Sequence, residues 1–224
     1  VERVEADGTV RVLVLRAKGP RFCVGADLHW LDPQRPGAHD RVFQVLELLN
    51  PTLLKLRSMP IVVVAGVQGA VAGGGVGLMV ASDLVLAAEG ATVKLAYPRI
   101  GATPDAGATY FLPRILGERK ALELLLFGGD TISTATAHRF GLFNFVTSQE
   151  DFVAALESLV LRLTEGPGRA LAKTKALAYL SLSNSLAGQL EAERAAFVAT
   201  ADTPDFHEGV RAFLQKRPPH FNVP

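Results

Sequence analysis

The chain has 224 residues, 49% of them hydrophobic and 20% charged, enough for one sizeable core with a small appended unit. Its 23 Lys and Arg balance 22 Asp and Glu, and no basic stripe interleaves with aromatics, so composition excludes a nucleic-acid surface. A single cysteine, Cys23, excludes an intramolecular disulfide and a cysteine-rich zinc site and fits a reducing, cytoplasmic setting; no apolar stretch is long enough to span a membrane.

The chain begins at Val1 without Met or a signal-peptide h-region and enters a strand almost at once, which predicts further residues upstream. Val10 to Leu15 reads as that buried strand, ended by Lys18-Gly19-Pro20 and followed by a turn carrying Gly25. Leu31 to His39 reads as a mobile loop, and the spacing of Val42, Val45, Leu46, Leu49, Leu53, Leu54 and Leu56 predicts a helix bent or interrupted at Pro51. Ile61 to Val67 is the second strand, Gly75 to Ala81 a helix, and Asp83 to Ala87 and Thr92 to Leu95 two further strands. This alternation argues for α/β layering with right-handed crossovers and ligands at the strand ends. From Ser133 onward only Phe143 to Val146 looks extended, while Asp151 to Thr164, Arg169 to Leu182, Gln189 to Thr200 and Pro204 to Gln215 read as helices. The division predicted is a core over residues 1–149 and a helical region over 150–224.

Gly73-Gly74-Gly75 follows one apolar run and opens a helix, where unpaired amides and the positive dipole end favour an anion. Phe22-Cys23-Val24-Gly25-Ala26-Asp27 follows another, so two strand ends can each offer an amide to one carbonyl oxygen, as in an oxyanion hole. The alternative is a glycine run that only lets a helix pack closely on a sheet. A dinucleotide fingerprint is excluded by Val80 in the third glycine position, and no Gly-Lys-Ser/Thr completes a P-loop. The five histidines are scattered without metal-ligand spacing, and no Gly-x-Ser-x-Gly elbow supplies a serine nucleophile. Asp105, in Thr103-Pro104-Asp105-Ala106-Gly107, can cap a helix beginning at Ala106, carry chemistry, or both. Asp83 reads as a turn cap or the partner of a base, Asp27 as a stabiliser of the Gly25 turn, and Tyr97 and Phe111 as core or as pocket walls.

Taken together, Phe22 to Leu28, Pro60 to Asp83 with Gln68-Gly69 and the triple glycine, Pro113 to Gly117, Gly128 to Ser133 and Gly141-Leu142 resemble the crotonase (enoyl-CoA hydratase/isomerase) superfamily from about Val10 to the C-terminus. The resemblance implies an α/β crotonase-like spiral of ββα turns with a helical C-terminal trimerisation region. It also implies that the amides of Ala26 and Gly74 hold the thioester oxygen of an acyl-CoA and stabilise an enolate. Gly25, Asp27, Leu28, Gly73, Gly75 and Tyr97 would line the substrate, and Phe213 and Lys216 would lie in the terminal CoA-contacting stretch. It implies no metal and no cofactor beyond the coenzyme A of the substrate, no nucleic-acid or membrane partner, and a homotrimer or hexamer.

The two glutamates usual in hydratases fall at Gly77 and Tyr97, which leaves Asp105 as the working carboxylate. Leu95 to Gly101 running into Pro104 to Gly107 looks most like the epoxyphenylacetyl-CoA isomerase group. The reading is therefore double-bond or ring isomerisation with Asp105 as proton shuttle and Tyr97 shaping the pocket. A hydratase, a dehalogenase or hydrolase using Asp105 as nucleophile, and a non-catalytic acyl-CoA-binding protein stay open.

Overall fold

A computed structural model of the chain describes residues 1–32 and 34–221; Pro33, inside the stretch read as a loop, lies outside the described residues. A short helix α1 (Glu2–Ala6) comes first, ahead of the expected strand, now β1 (Val12–Leu15). Strand β2 (Arg21–Cys23), helix α2 (Ala38–Ser58), strands β3 (Val62–Val67) and β4 (Ala70–Ala72) and helix α3 (Gly74–Val80) follow. Next come β5 (Leu84–Ala88), β6 (Val93–Lys94), a 3-10 turn (Tyr97–Ile100), α4 (Ala108–Leu116), α5 (Glu118–Phe127), α6 (Thr134–Arg139) and β7 (Phe145–Thr147). Helices α7 (Phe152–Thr164), α8 (Gly168–Leu180), α9 (Leu186–Ala201) and α10 (Pro204–Leu214) complete the order. The described residues form two compact units, one of Val1 and residues 14–32, 34–57 and 63–156 and one of residues 2–13, 58–62 and 157–221.

Two sheets share the strands by turns: β1-β3-β5-β7 in one, β2-β4-β6 in the other. Each chain segment β1-β2-α2, β3-β4-α3 and β5-β6-α4 sends its first strand to the larger sheet, its second to the smaller, and then a helix. That is the expected ββα spiral. The pairs β3–β5, β5–β7, β2–β4 and β4–β6 are all parallel, so long crossovers must connect them. Strand β3 is buried at every residue, which explains its unbroken apolar run in place of an alternating one.

Two polar side chains fix the strand entries of the larger sheet. Asp83 donates its N–H to the Val63 carbonyl at 2.8 Å, and its Oδ2 accepts the Val63 N–H at 2.7 Å. Asn144 repeats the device one strand on, exchanging N–H to carbonyl with Val85 at 2.9 Å while its Oδ1 accepts the Val85 N–H at 2.8 Å. Asp83 is thus a strand clamp, a role its sequence setting did not reveal. Of the two expectations at Pro51, a bend or an interruption, the interruption is excluded, since helix α2 runs as one element through it. Beneath these strands, Val63, Val64, Val67, Val76, Met79, Leu112 and Phe143 are fully buried and make the core of the first unit.

In the second unit, Ser185 and Thr203 cap α9 and α10 by accepting the N–H groups of Gly188 and Phe206. The segment after α10 is held by Glu208, whose carboxylate takes a two-pronged bond from Arg217 at 2.6 and 2.9 Å and the His220 N–H at 2.9 Å. These donors, with the positive charge of Arg217 and Arg211 adding to them, lower the Glu208 carboxyl from the ordinary 4.5 to about 2. A carboxyl depressed in the folded chain stabilises it above the unfolded value and loses that effect as pH falls through the folded one. The expected window of loss is therefore from about pH 4.5 down to about 2. In Glu208→Gln the His220 amide is expected to exchange faster near neutral pH and to show no further loss of protection across that window, as hydrogen-exchange NMR would report.

Candidate active site

The two glycine turns meet through their backbones. Gly25 lies at φ +91° and Gly73 at φ +51°, conformations closed to most side-chain-bearing residues. A Cβ added at Gly25 would sit 3.4 Å from the Gly74 nitrogen and 3.5 Å from the Gly73 Cα. The parallel pairing of β2 with β4 brings these strand ends side by side, and the chain then turns at Gly73 into α3. Gly74 is the first residue of α3, so its N–H has no partner inside the helix. Among the described residues, neither the Gly74 N–H nor the Ala26 N–H donates to a protein acceptor. Two unpaired amides therefore stand at adjoining turns, one backed by the positive end of a helix.

Asp105 faces this corner. A Cβ at Gly74 would lie 3.5 Å from Asp105 Oδ1 and 3.6 Å from Oδ2, ordinary contact distances that put the carboxylate beside the start of α3. The Tyr97 hydroxyl donates to Oδ1 at 2.9 Å. Between them the chain reverses: the 3-10 turn ends on Gly101 in left-handed conformation, and the Tyr97 carbonyl accepts the Ala102 N–H at 3.1 Å. Tyr97 is 5% exposed and Asp105 half-buried. Burial, and then the negative charge of Asp105, push the Tyr97 hydroxyl well above the ordinary phenol range, so it remains a neutral donor at accessible pH.

The expectation that Asp105 caps a helix at Ala106 is corrected. Helix α4 begins at Ala108 on Gly107, which has no side chain to cap with; Asp105 contributes its backbone carbonyl, accepting the Ala108 N–H at 2.9 Å. Ala106, at φ +49°, and Gly107, at φ +77°, make the turn that frees the Asp105 side chain for Tyr97. Gly77 is closed off. A Cβ there would collide with the Ala106 carbonyl oxygen and Cβ, so position 77, where the resemblance puts a hydratase's first glutamate, has no room for any side chain. Gly75 is likewise pressed on Cys23, with no room for a side chain.

Of the other residues singled out, Asp27 is exposed and accepts the His29 N–H at 2.9 Å, which stabilises the turn after Gly25; Leu28 is 56% exposed beside it. Phe213, 83% exposed on α10, and the exposed Lys216, at φ +52° just past it, belong to the second unit. Gln68, part of the segment that carries the resemblance, holds the approach to β2. Its Nε2 donates to the carbonyls of Ala17, Gly19 and Arg21 at 2.9 to 3.1 Å, pinning the chain that leads into β2 and the Gly25 turn. No spacing in the sequence reveals that role, because its three partners lie some 50 residues upstream.

The whole chain, residues 1–224, matches the sequence profile described as Enoyl-CoA hydratase/isomerase. The chain belongs to that family. Similar proteins include a Rhodobacter capsulatus protein named "Probable enoyl-CoA hydratase", 38% identical, with 96% of this chain and 82% of the relative covered. The 1,2-epoxyphenylacetyl-CoA isomerase of Escherichia coli is 34% identical, with 99% of this chain and 84% of the relative covered. Among solved structures, an enoyl-CoA hydratase from Polaromonas sp. JS666 superposes with a TM-score of 0.92 at 34% identity, covering 99% of this chain and 87% of that one. The spiral of ββα turns in this family member is thus the crotonase fold, and its relatives are enzymes.

Gly74 and Gly77 answer differently to the same added methyl. Gly77→Ala is expected to cost roughly 1–3 kcal/mol of stability, the usual penalty of overpacking a filled core. Gly74→Ala, whose methyl meets Asp105 at contact distance, is expected to keep nearly the parent stability. Denaturant melts of the two variants check the contrast.

Proposed function

We propose that this enoyl-CoA hydratase/isomerase family member is an acyl-CoA isomerase, for double-bond or ring isomerisation, with Asp105 as proton shuttle. One observation carries the reading: Asp105 is the carboxylate beside the unpaired Gly74 amide, while the two positions where the resemblance puts a hydratase's glutamates hold Tyr97 and a Gly77 sealed by Ala106. In the proposed mechanism the Ala26 and Gly74 amides donate to the thioester oxygen. Charge placed there as the enolate forms is stabilised by roughly 3–4 kcal/mol per donor. A carboxylate oxygen of Asp105 takes the proton from the α-carbon, the C–H electron pair becomes the double bond to the carbonyl carbon, and the carbonyl π pair moves onto the oxygen to give the enolate. For a β,γ-unsaturated thioester the electrons then return, the double bond settles between the α- and β-carbons, and Asp105 delivers the proton to the γ-carbon. No water enters the balance. Hydration needs a placed water and a second acid or base, for which neither Gly77 nor Tyr97 supplies a carboxylate.

Phe213 and Lys216 are proposed as contacts for the coenzyme A part of the substrate, and Gly25, Asp27, Leu28, Gly73, Gly75 and Tyr97 as neighbours of its acyl and thioester part. The proposed assembly is a homotrimer or a hexamer of two trimers. Exposed Phe197, Val198, Phe213 and Leu214 around an apolar groove of about 970 Å³ in the second unit support it, since a patch of that kind marks an interaction surface. No described helix is long and apolar enough to cross a membrane, and the lone Cys23 supports a cytoplasmic setting.

Asp105→Asn is expected to lower isomerisation of a 3-enoyl-CoA by roughly 10²–10⁴-fold while acyl-CoA affinity is largely kept, since a general acid–base group is lost and the shape retained. Asp105→Ala leaves the buried Tyr97 hydroxyl without its acceptor and is expected to cost roughly 1–3 kcal/mol for that reason, whereas Asp105→Asn, which keeps an acceptor oxygen, should melt close to the parent. Turnover by thioester assay, affinity by calorimetry and melting temperature test this, and unchanged turnover in Asp105→Asn would refute the mechanism. The parent protein is expected to hydrate crotonyl-CoA slowly or not at all; rapid hydration would return it to the hydratases.

A further inference from the structure

We propose that Tyr97 is a positioning residue that reserves a single oxygen of Asp105 for proton transfer. The inference rests on the reading of Asp105 as the proton shuttle and adds to it which oxygen acts and what holds it. Both carboxylate oxygens lie near the start of α3, 3.5 and 3.6 Å from where a Gly74 Cβ would be, so geometry alone does not choose between them. The Tyr97 hydroxyl does. At 2.9 Å it occupies Oδ1, and among the described residues no protein donor reaches Oδ2. The tyrosine ring is itself held: it is 5% exposed, its backbone is fixed in the 3-10 turn, and Gly101 returns the chain to it. A carboxylate on a single χ2-free stem rotates readily, and a buried hydroxyl on a fixed ring stops that rotation. Oδ2 then takes the proton and gives it back on the same face of the acyl chain, which selects substrates whose two exchanging C–H positions lie on one face of an allylic system.

Tyr97→Phe keeps the ring and removes only the hydroxyl. The expected result is a fall in kcat of about 10- to 100-fold with KM nearly unchanged, in line with what misplacing a reacting group by about 1 Å costs. In D₂O, the variant should also incorporate more solvent deuterium per turnover, since a freed carboxylate exchanges its proton before returning it. In an Asp105→Asn background the same Tyr97→Phe change should cost nothing further, whereas a tyrosine that only supports the fold would multiply the two losses. Fluorinated tyrosines at position 97, which keep the fold and strengthen the O–H donor, should lower kcat stepwise as the carboxylate becomes a weaker base, and they serve if Tyr97→Phe does not fold. Parent-like kcat in folded Tyr97→Phe, multiplying losses in the double variant, or a kcat indifferent to fluorination would each overturn the proposal. If Asp105→Asn is inactive while Tyr97→Phe is normal, this inference alone fails; if Asp105→Asn keeps full turnover, the Asp105 reading fails with it.

Discussion

Backbone-to-backbone contact between the Gly25 turn and the Gly73-Gly74 turn is the constraint on which the site depends. A Cβ at Gly25 would already lie 3.4 Å from the Gly74 nitrogen and 3.5 Å from the Gly73 Cα, so the two turns stand side by side through their backbones. The contact exists because β2 and β4 pair in parallel and both run out at the same end of the smaller sheet. Gln68 secures the approach from upstream by holding three carbonyls of the segment that enters β2. Without that pairing the Ala26 and Gly74 amides would be unrelated groups on two loops.

Around this corner the packing decides which side chains can take part. Ala106 lies against Gly77 so tightly that a glutamate cannot be accommodated there, and the left-handed pair Ala106-Gly107 turns the Asp105 side chain away from α4. The carboxylate that might have capped a helix is bonded to Tyr97. A buried phenol bonded to a carboxylate stays protonated, and its donor stays available at any pH the protein meets. One carboxylate held by one hydroxyl, beside two unpaired amides, is the arrangement on which the proposed proton transfer is argued.

Much of the fold was legible because its signals are local. The runs Val10 to Leu15 and Ile61 to Val67 appear as β1 and β3, the glycine triplet opens α3, and the four C-terminal helices lie within a few residues of their predicted ends. What escaped were elements whose sequences carry little pattern. Strands β2 and β4 have three residues each, too few for a period, and their existence depends on pairing with each other and with β6. Helix α2 continues through Pro51 although the local rule predicts a break.

By itself, then, the sequence determined the alternation of strand and helix, the two glycine turns and the want of a glutamate at positions 77 and 97, since each is a property of neighbouring residues. Only the tertiary structure decided that the turns touch, that Gly77 is sealed by Ala106, that Asp83 clamps a strand and that Asp105 is bonded to Tyr97 and caps nothing. The physical reason is common to all four. Each depends on the distance between groups that the chain brings together by crossovers or reversals, and distance across a fold is set by packing, which leaves no local mark on the residues that meet.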